Sequence, residues 1–109
     1  MDLQPSIHKK LIDPALADDV LPLCKLAKDL EEIGEFDRAA EVLHPFWSGI
    51  PDRPKTEGLK AEAQAELLLR SGTLTGWLGS AKQIPGAQEV AKDLISESAA
   101  IFERCDRAI

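Results

Sequence analysis

The sequence predicts an all-α protein, on the basis of its composition and the spacing of its apolar residues. Leucine and alanine supply 29 of the 109 residues, whereas valine and isoleucine supply 11 and tyrosine is absent. Leucine and alanine favour helices, while strands are richer in β-branched and aromatic residues. A chain of this length forms one domain and buries roughly two-thirds of the surface that it exposes when unfolded. We therefore expect one modest core between closely packed helices.

The first predicted helix runs from Asp19 to Gly34. Asp18 or Asp19 can cap its start, and Gly34 can end it because glycine adopts the left-handed conformation at little cost. Its apolar residues recur at steps of three and four positions, which places them on one helical face directed at the core. These residues are Leu23, Leu26, Ala27, Leu30 and Ile33.

A second predicted helix follows almost at once and carries its own apolar stripe. Pro45, followed by Ser48 and Gly49, limits how far this helix runs. Because the turn between the two helices is so short, we expect them to lie antiparallel. The stripe consists of Phe36, Ala39, Ala40, Val42, Leu43 and Phe46.

This pair of helices resembles the tetratricopeptide repeat, a helix-turn-helix unit of about 34 residues with the pattern W-x2-L-G-x2-Y…A-x3-F…P. Leu26, Ala39 and Pro51 match the Leu, Ala and Pro of the pattern. The other positions hold substitutes of similar size class and polarity. These are Leu23 for Trp, Ala27 for Gly, Leu30 for Tyr and Leu43 for Phe. The resemblance implies a short right-handed solenoid of helical hairpins, with residues 20–53 as its first repeat.

Residues 54–109 resemble a second repeat, and residues 1–19 form an N-terminal segment before both repeats. Pro54 or Lys55 can open the first helix of this second unit, with Asp52 as its cap. The whole chain is thus expected to be a single domain.

The second repeat is expected to carry an insertion at 73–86, within the stretch GTLTGWLGSAKQIPG. The spacing from Gly72 to Ala91 exceeds the corresponding spacing from Gly34 to Ala39 by 14 positions. Similar segments, followed by a run like AQEVAKDLISESAAIF, occur in uncharacterised bacterial tetratricopeptide proteins. We expect the insertion to be compact and to contain a helical turn around Leu74 to Lys82, with Pro85 starting the last helix.

Charge and hydropathy exclude several classes of partner. The net charge of −6 and the absence of any run of lysine or arginine argue against nucleic acid, because that affinity comes chiefly from neutralised phosphates. The N-terminal stretch MDLQPSIHKKLIDP has neither the continuous apolar core of a signal peptide nor the roughly 20 apolar residues of a membrane span. We expect a cytoplasmic protein with no membrane partner. Its two cysteines, Cys24 and Cys105, are expected to be free thiols.

No set of residues predicts catalysis, a cofactor or a metal. His8 and His44 lie on different segments, and the adjacent acids Glu31 and Glu32 point to different sides of one helix. Acid–base chemistry requires groups that converge on one substrate. We therefore expect a protein that is not an enzyme.

The resemblance implies a protein-interaction module or scaffold, because the first helix of each tetratricopeptide unit lines a concave groove for a protein or peptide. The residues of this chain that the family pattern places in the groove are mixed in charge. They lack the lysine, arginine and asparagine arrangement with which some family members hold a C-terminal carboxylate. The positions that the family pattern places in the groove are Leu21, Cys24, Lys28, Glu31, Glu62, Glu66, Leu69 and Arg70.

Trp77, between two glycines of the insertion, has two interpretations. It anchors the insertion onto the repeat beneath it, which we favour because Leu74, Leu78 and Ile84 accompany it, or it is offered to a partner as a hot spot. An alternative function is a regulatory domain that binds a small molecule or nucleotide through the glycine-rich loop. The spacing of Gly79 and Lys82 does not match a phosphate loop, which also requires a preceding strand.

The last predicted helix looks too apolar all round to close a repeat array. Terminal repeats usually carry a polar cap, so something is expected to cover this helix. We expect the chain to be part of a longer array, or to form a homodimer through the C-terminal helix, or both. The residues concerned are Val90, Ala91, Leu94, Ile95, Ala99, Ile101 and Phe102.

Overall fold

The computed structural model describes residues 15–108, with side chains from 20 to 105, and within these residues it contains helices and no strand. The prediction of an all-α protein is confirmed. The helices in chain order are α1 (Ala15–Glu32), α2 (Phe36–Val42), α3 (Ala61–Ala81) and α4 (Ala87–Ala108). Residues 43–60 form an irregular connector between α2 and α3.

Gly34 ends α1 as predicted. It adopts φ 82°, and its N–H donates to Glu31 O at 3.0 Å while the next N–H, that of Glu35, donates to Leu30 O at 2.8 Å. This pair of bonds is the Schellman arrangement, which satisfies the last carbonyls of a helix. The start of α1 was predicted wrongly, because Asp18 and Asp19 lie inside the helix.

The buried face of α1 differs from the predicted one. Leu26 is 47% exposed, so its predicted place in the core is wrong, and Ile33 of the same apolar stripe is 70% exposed. The face that packs inward carries Ala27 and Leu30, as predicted, together with Val20 and Cys24. The same face turns the Glu31 side chain toward α3, where it pairs with Arg70.

The chain between α2 and α3 is an irregular connector where the start of a helix was predicted. In its first residues, the side chains of Leu43, Phe46 and Trp47 are buried in the core, and α2 is only 7 residues long. Pro54 is buried within the connector, and α3 begins at Ala61. The predicted helix start at Pro54 or Lys55 is therefore wrong.

Two polar contacts hold the connector in place. Within the connector, Lys55 N–H donates to Phe46 O at 2.7 Å. Arg53 makes two 2.7 Å hydrogen bonds to the carboxylate of Glu97 on α4. The bidentate geometry aligns the two planar groups and ties the connector to α4.

The glycine-rich stretch is not a loop. α3 runs without interruption from Ala61 to Ala81, so the predicted insertion at 73–86 is largely the second half of this helix. Gly72 does not end a helix as Gly34 does. Helix α4 begins at Ala87, two residues after the predicted start at Pro85.

Close packing of α3 against α4 explains why the glycines are there. A Cβ atom added at Gly72 would lie 2.8 Å from Ile95 Cγ1 and 3.2 Å from the Ile95 backbone nitrogen. A Cβ added at Gly79 would overlap the Cβ of Ala87. Further along the same seam, the buried Ser98 hydroxyl donates to Ala65 O at 2.8 Å. The missing side chains let the two backbones approach, at a cost in helix propensity of about 1 kcal/mol for each glycine.

Helix α4 is amphipathic, and the prediction that it is apolar all round is wrong. Its α3-facing positions are buried, while Lys92, Asp93 and Ser96 are exposed on the other side. Of the residues predicted to need cover, Ala91, Leu94 and Ile101 are buried against α3; Val90 and Phe102 are half-buried, and Ile95 and Ala99 are exposed. The case for a partner that covers a wholly apolar helix therefore loses its basis.

Candidate functional site

Five of the eight residues predicted to form a groove line one cleft between α1 and α3. This cleft has a volume of about 290 Å³. Lys25 and Lys28 lie on its α1 side, and Glu62 and Glu66 lie on its α3 side, so the two walls are opposite in charge. The lining residues are Leu21, Cys24, Lys25, Lys28, Glu62 and Glu66.

The remaining three predicted residues do not line the cleft. Leu69 is half-buried, while Glu31 and Arg70 form an ion pair between α1 and α3 with 2.8 Å from Arg70 Nη1 to Glu31 Oε1. Two buried polar atoms of this pair, Glu31 Oε2 and Arg70 Nε, have no hydrogen-bond partner. Burial raises the pKa of Glu31, with Arg70 acting in the opposite direction. The pair joins the two helices and leaves little of either side chain for a ligand.

Cys24 is a buried thiol. Its exposed fraction is 2%, and burial raises its pKa to about 12, with the charge of Glu66 acting in the same direction. A nucleophilic cysteine requires a lowered pKa, because the thiolate is the reactive form. Cys24 is therefore an apolar residue of the cleft and has no features of a nucleophile.

Trp77 lies on the outer side of α3, where it is 56% exposed. Its ring stacks on that of Phe36 at the start of α2, with 5.2 Å between the centroids and 15° between the planes. The ring therefore packs against α2, while more than half of its surface remains exposed to solvent.

A groove of about 350 Å³, here called the Trp77 groove, runs beside this tryptophan along the α3–α4 seam. It exists because Gly72, Gly76 and Ala91 offer little or no side chain there. Ile95 is 38% exposed, and Lys92 is the only charged residue among the described residues that line the groove. The lining residues are Gly72, Thr73, Gly76, Trp77, Gln88, Ala91, Lys92 and Ile95.

The sequence indicated Trp77 as an anchor or a partner contact, but it did not indicate which residues surround it. Phe36 was assigned only to a core stripe, and Ile95 and Lys92 were not connected with Trp77. The signal was present in the spacing of Gly72, Gly76 and Gly79, which lie at positions i, i+4 and i+7 on one helical face. That spacing indicates a close helix–helix crossing and thereby places α4 residues beside Trp77.

The glycines do not form a cradle for phosphate. Their N–H groups lie within the continuous helix α3, where backbone donors bond to carbonyls one turn earlier. The nucleotide-binding alternative therefore loses the loop on which it depended. Among the residues that the structure describes, no three metal-binding side chains lie together, and no helix is long and apolar enough to cross a membrane.

The chain matches none of the protein-family models, curated proteins and solved structures with which it was compared. The resemblance to tetratricopeptide repeats therefore remains a prediction from the spacing of residues 20–53.

Proposed function

We propose that the protein is a non-catalytic protein-interaction module of the cytoplasm, built as a short tetratricopeptide-like solenoid. The observation that carries this proposal is the state of Trp77, which is fixed by Phe36 yet 56% exposed beside a groove. Tryptophan is among the residues that most often dominate binding energy at protein interfaces. A ring already held in one place loses little conformational entropy on binding.

The partner that fits the Trp77 groove is a protein segment with an apolar anchor next to a carboxylate. The small residues Gly76 and Ala91 leave room for the anchor, and Trp77 and Ile95 lie on either side of it. Lys92 supplies the only charge among the described residues that line the groove, and it selects an acidic neighbour for the anchor. The walls of the groove belong to two long helices that pack through glycine and alanine residues.

The cleft between α1 and α3 is the second candidate surface, and the family resemblance is what favours it. Its opposed charges, with Lys28 on one wall and Glu66 on the other, suit a segment that carries both signs. One experiment distinguishes the two surfaces, because each contains an exposed or half-buried residue whose substitution leaves the core intact.

The test is a selection of random displayed peptides on the wild-type protein, followed by affinity measurements on variants. We expect enriched peptides that pair an aromatic or aliphatic residue with Asp or Glu. Trp77→Ala is expected to weaken these peptides at least about thirtyfold, corresponding to about 2 kcal/mol. Lys92→Glu is expected to weaken them further at low salt, and circular dichroism confirms that each variant is folded.

Glu66→Gln is the matched control in the other cleft and is expected to leave affinity unchanged. If the affinity of the selected peptides depends on Glu66 and not on Trp77, the binding surface is the α1–α3 cleft. A selection that yields no Trp77-dependent peptide overturns the proposal for this groove. Sedimentation of the wild type tests a second copy of the chain as occupant, since α4 forms one wall of the groove.

A further inference from the structure

Another pocket, of about 360 Å³, shares no lining residue with the Trp77 groove. It is formed by α2, the first half of the connector and the C-terminal end of α3, and here it is called the α2–α3 pocket. Its apolar lining includes Trp47, which is 2% exposed, and Leu78, which is 8% exposed, together with Ile50. Pockets for small ligands are typically of about 300 Å³ or more and largely apolar, with a few placed polar groups.

Hydrogen bonds within the connector fix the shape of the pocket. The indole Nε1–H of Trp47 donates to Asp52 O at 2.8 Å, and the Asp52 N–H donates to Gly49 O at 2.8 Å. The Ser48 hydroxyl donates to Asp52 Oδ2 at 2.6 Å. Because Trp47 has its hydrogen-bond partner outside the pocket, it presents its ring and no unsatisfied donor to an occupant.

The charges at the pocket favour a cation. Asp37 and Glu41 line it, and Lys82, the one cation among the described residues that line it, lies 3.1 Å from Asp37 Oδ1. Glu41 forms no salt bridge with any residue in the described part of the chain. It also lies in the last turn of α2, which holds no basic residue, so its charge adds to the negative end of the helix dipole. A cation near Glu41 would offset both the charge of its carboxylate and the negative end of the helix dipole.

We propose that the α2–α3 pocket binds a small organic amine whose apolar body packs on Trp47, Ile50 and Leu78 and whose ammonium group pairs with Glu41. The apolar lining accounts for the body, and the exposed Glu41 carboxylate, which forms no salt bridge in the described part of the chain, accounts for the charge. This site is separate from the Trp77 groove and does not depend on its function.

The test uses the fluorescence of Trp47 in a Trp77→Phe background, where Trp47 is the remaining tryptophan. The probe is 2-phenylethylamine, with 2-phenylethanol as a neutral match and phenylacetate as an anionic one. We expect a saturable change in Trp47 emission with the amine at millimolar concentration. Affinity for the amine is expected to exceed that for the alcohol by about tenfold, and phenylacetate is expected to bind still more weakly.

Glu41→Gln is expected to abolish the preference for the amine over the alcohol, because the two side chains have nearly the same shape. Glu32→Gln, an exposed acid that does not line the pocket, is the matched control and is expected to keep the preference. Equal binding of amine and alcohol, or no saturable change with the amine, overturns the proposal. Tighter binding of N-acetylargininamide than of the amine would also overturn it, by assigning the pocket to a basic side chain of a partner protein.

Discussion

Glu31 and Arg70 join α1 to α3 through a buried ion pair, with 2.8 Å between Glu31 Oε1 and Arg70 Nη1. The Glu31 side chain is 9% exposed and that of Arg70 is 11% exposed. Each charge is thus compensated chiefly by the other. The pair also selects the face of α1 that turns inward, since Glu31 could not reach Arg70 from a helix rotated to bury Ile33.

Breaking this pair from one side is expected to destabilise the protein strongly. Arg70→Met leaves the Glu31 carboxylate buried without a counter-charge, which costs about 3 to 5 kcal/mol. The double variant with Glu31→Leu removes both charges and is expected to recover most of that loss. Urea unfolding of the three proteins measures both effects. A double variant no more stable than Arg70→Met would show that the pair holds the helices in a way that apolar packing does not replace.

The pair also gives a pH dependence whose sign follows from the raised pKa of Glu31. The native state binds this proton more tightly than the unfolded state, so the contribution of Glu31 to stability falls as pH rises above the usual value of 4.5. Relative to the double variant, which lacks the group, the wild type is expected to lose stability between acid and neutral pH. A difference between the two proteins that stays constant over this range would contradict the assignment.

The sequence predicted those features that depend on local chain geometry. Gly34 ends α1 in the left-handed conformation that glycine adopts at little cost, and this signal is visible from the neighbouring residues alone. Gly72 was assigned the same role and instead lies inside α3, where it is needed for contact with Ile95 on another helix. A glycine required by tertiary packing looks the same in the sequence as a glycine required by a turn.

The same distinction applies to the candidate sites. Leu21, Cys24 and Lys28 follow one another at steps of three and four, so their common face was predictable, and they do line one cleft with Glu62 and Glu66. The proximity of Trp77 to Phe36 was not predictable, because it depends on how far α3 continues. Leu26 was misplaced because apolar spacing alone does not indicate which of two overlapping faces an ion pair will turn inward.

The thiol of Cys24 is expected to make stability fall at alkaline pH. Its pKa is raised from 9.0 to about 12 in the native state, so the unfolded chain releases this proton first as pH rises. The wild type is expected to lose about 1 kcal/mol relative to Cys24→Ala between pH 9 and 10. Below about pH 8 the difference between the two proteins should be constant. A difference that stays flat up to pH 10 would show that the thiol titrates normally.

The glycines of α3 are expected to respond very differently to the same substitution. Gly79→Ala places a Cβ atom onto that of Ala87, so α4 must shift away, and overpacking of this kind costs about 1 to 3 kcal/mol. Gly76→Ala places its Cβ at 3.7 Å from that of Ala91, an ordinary contact, and gains up to about 1 kcal/mol of helix propensity. Thermal unfolding of the two variants measures the contrast.

The contrast between Gly79→Ala and Gly76→Ala depends on α3 being a continuous helix packed on α4. If residues 73–81 formed an open loop instead, both alanines would be accommodated and neither variant would lose stability. Amide hydrogen exchange of the wild type provides the independent check, because the N–H groups of a packed helix exchange slowly. Slow exchange through residues 73–81 together with a destabilised Gly79→Ala is the expected result. Fast exchange together with two variants of unchanged stability would contradict the packing of α3 on α4, and with it the existence of the groove beside Trp77.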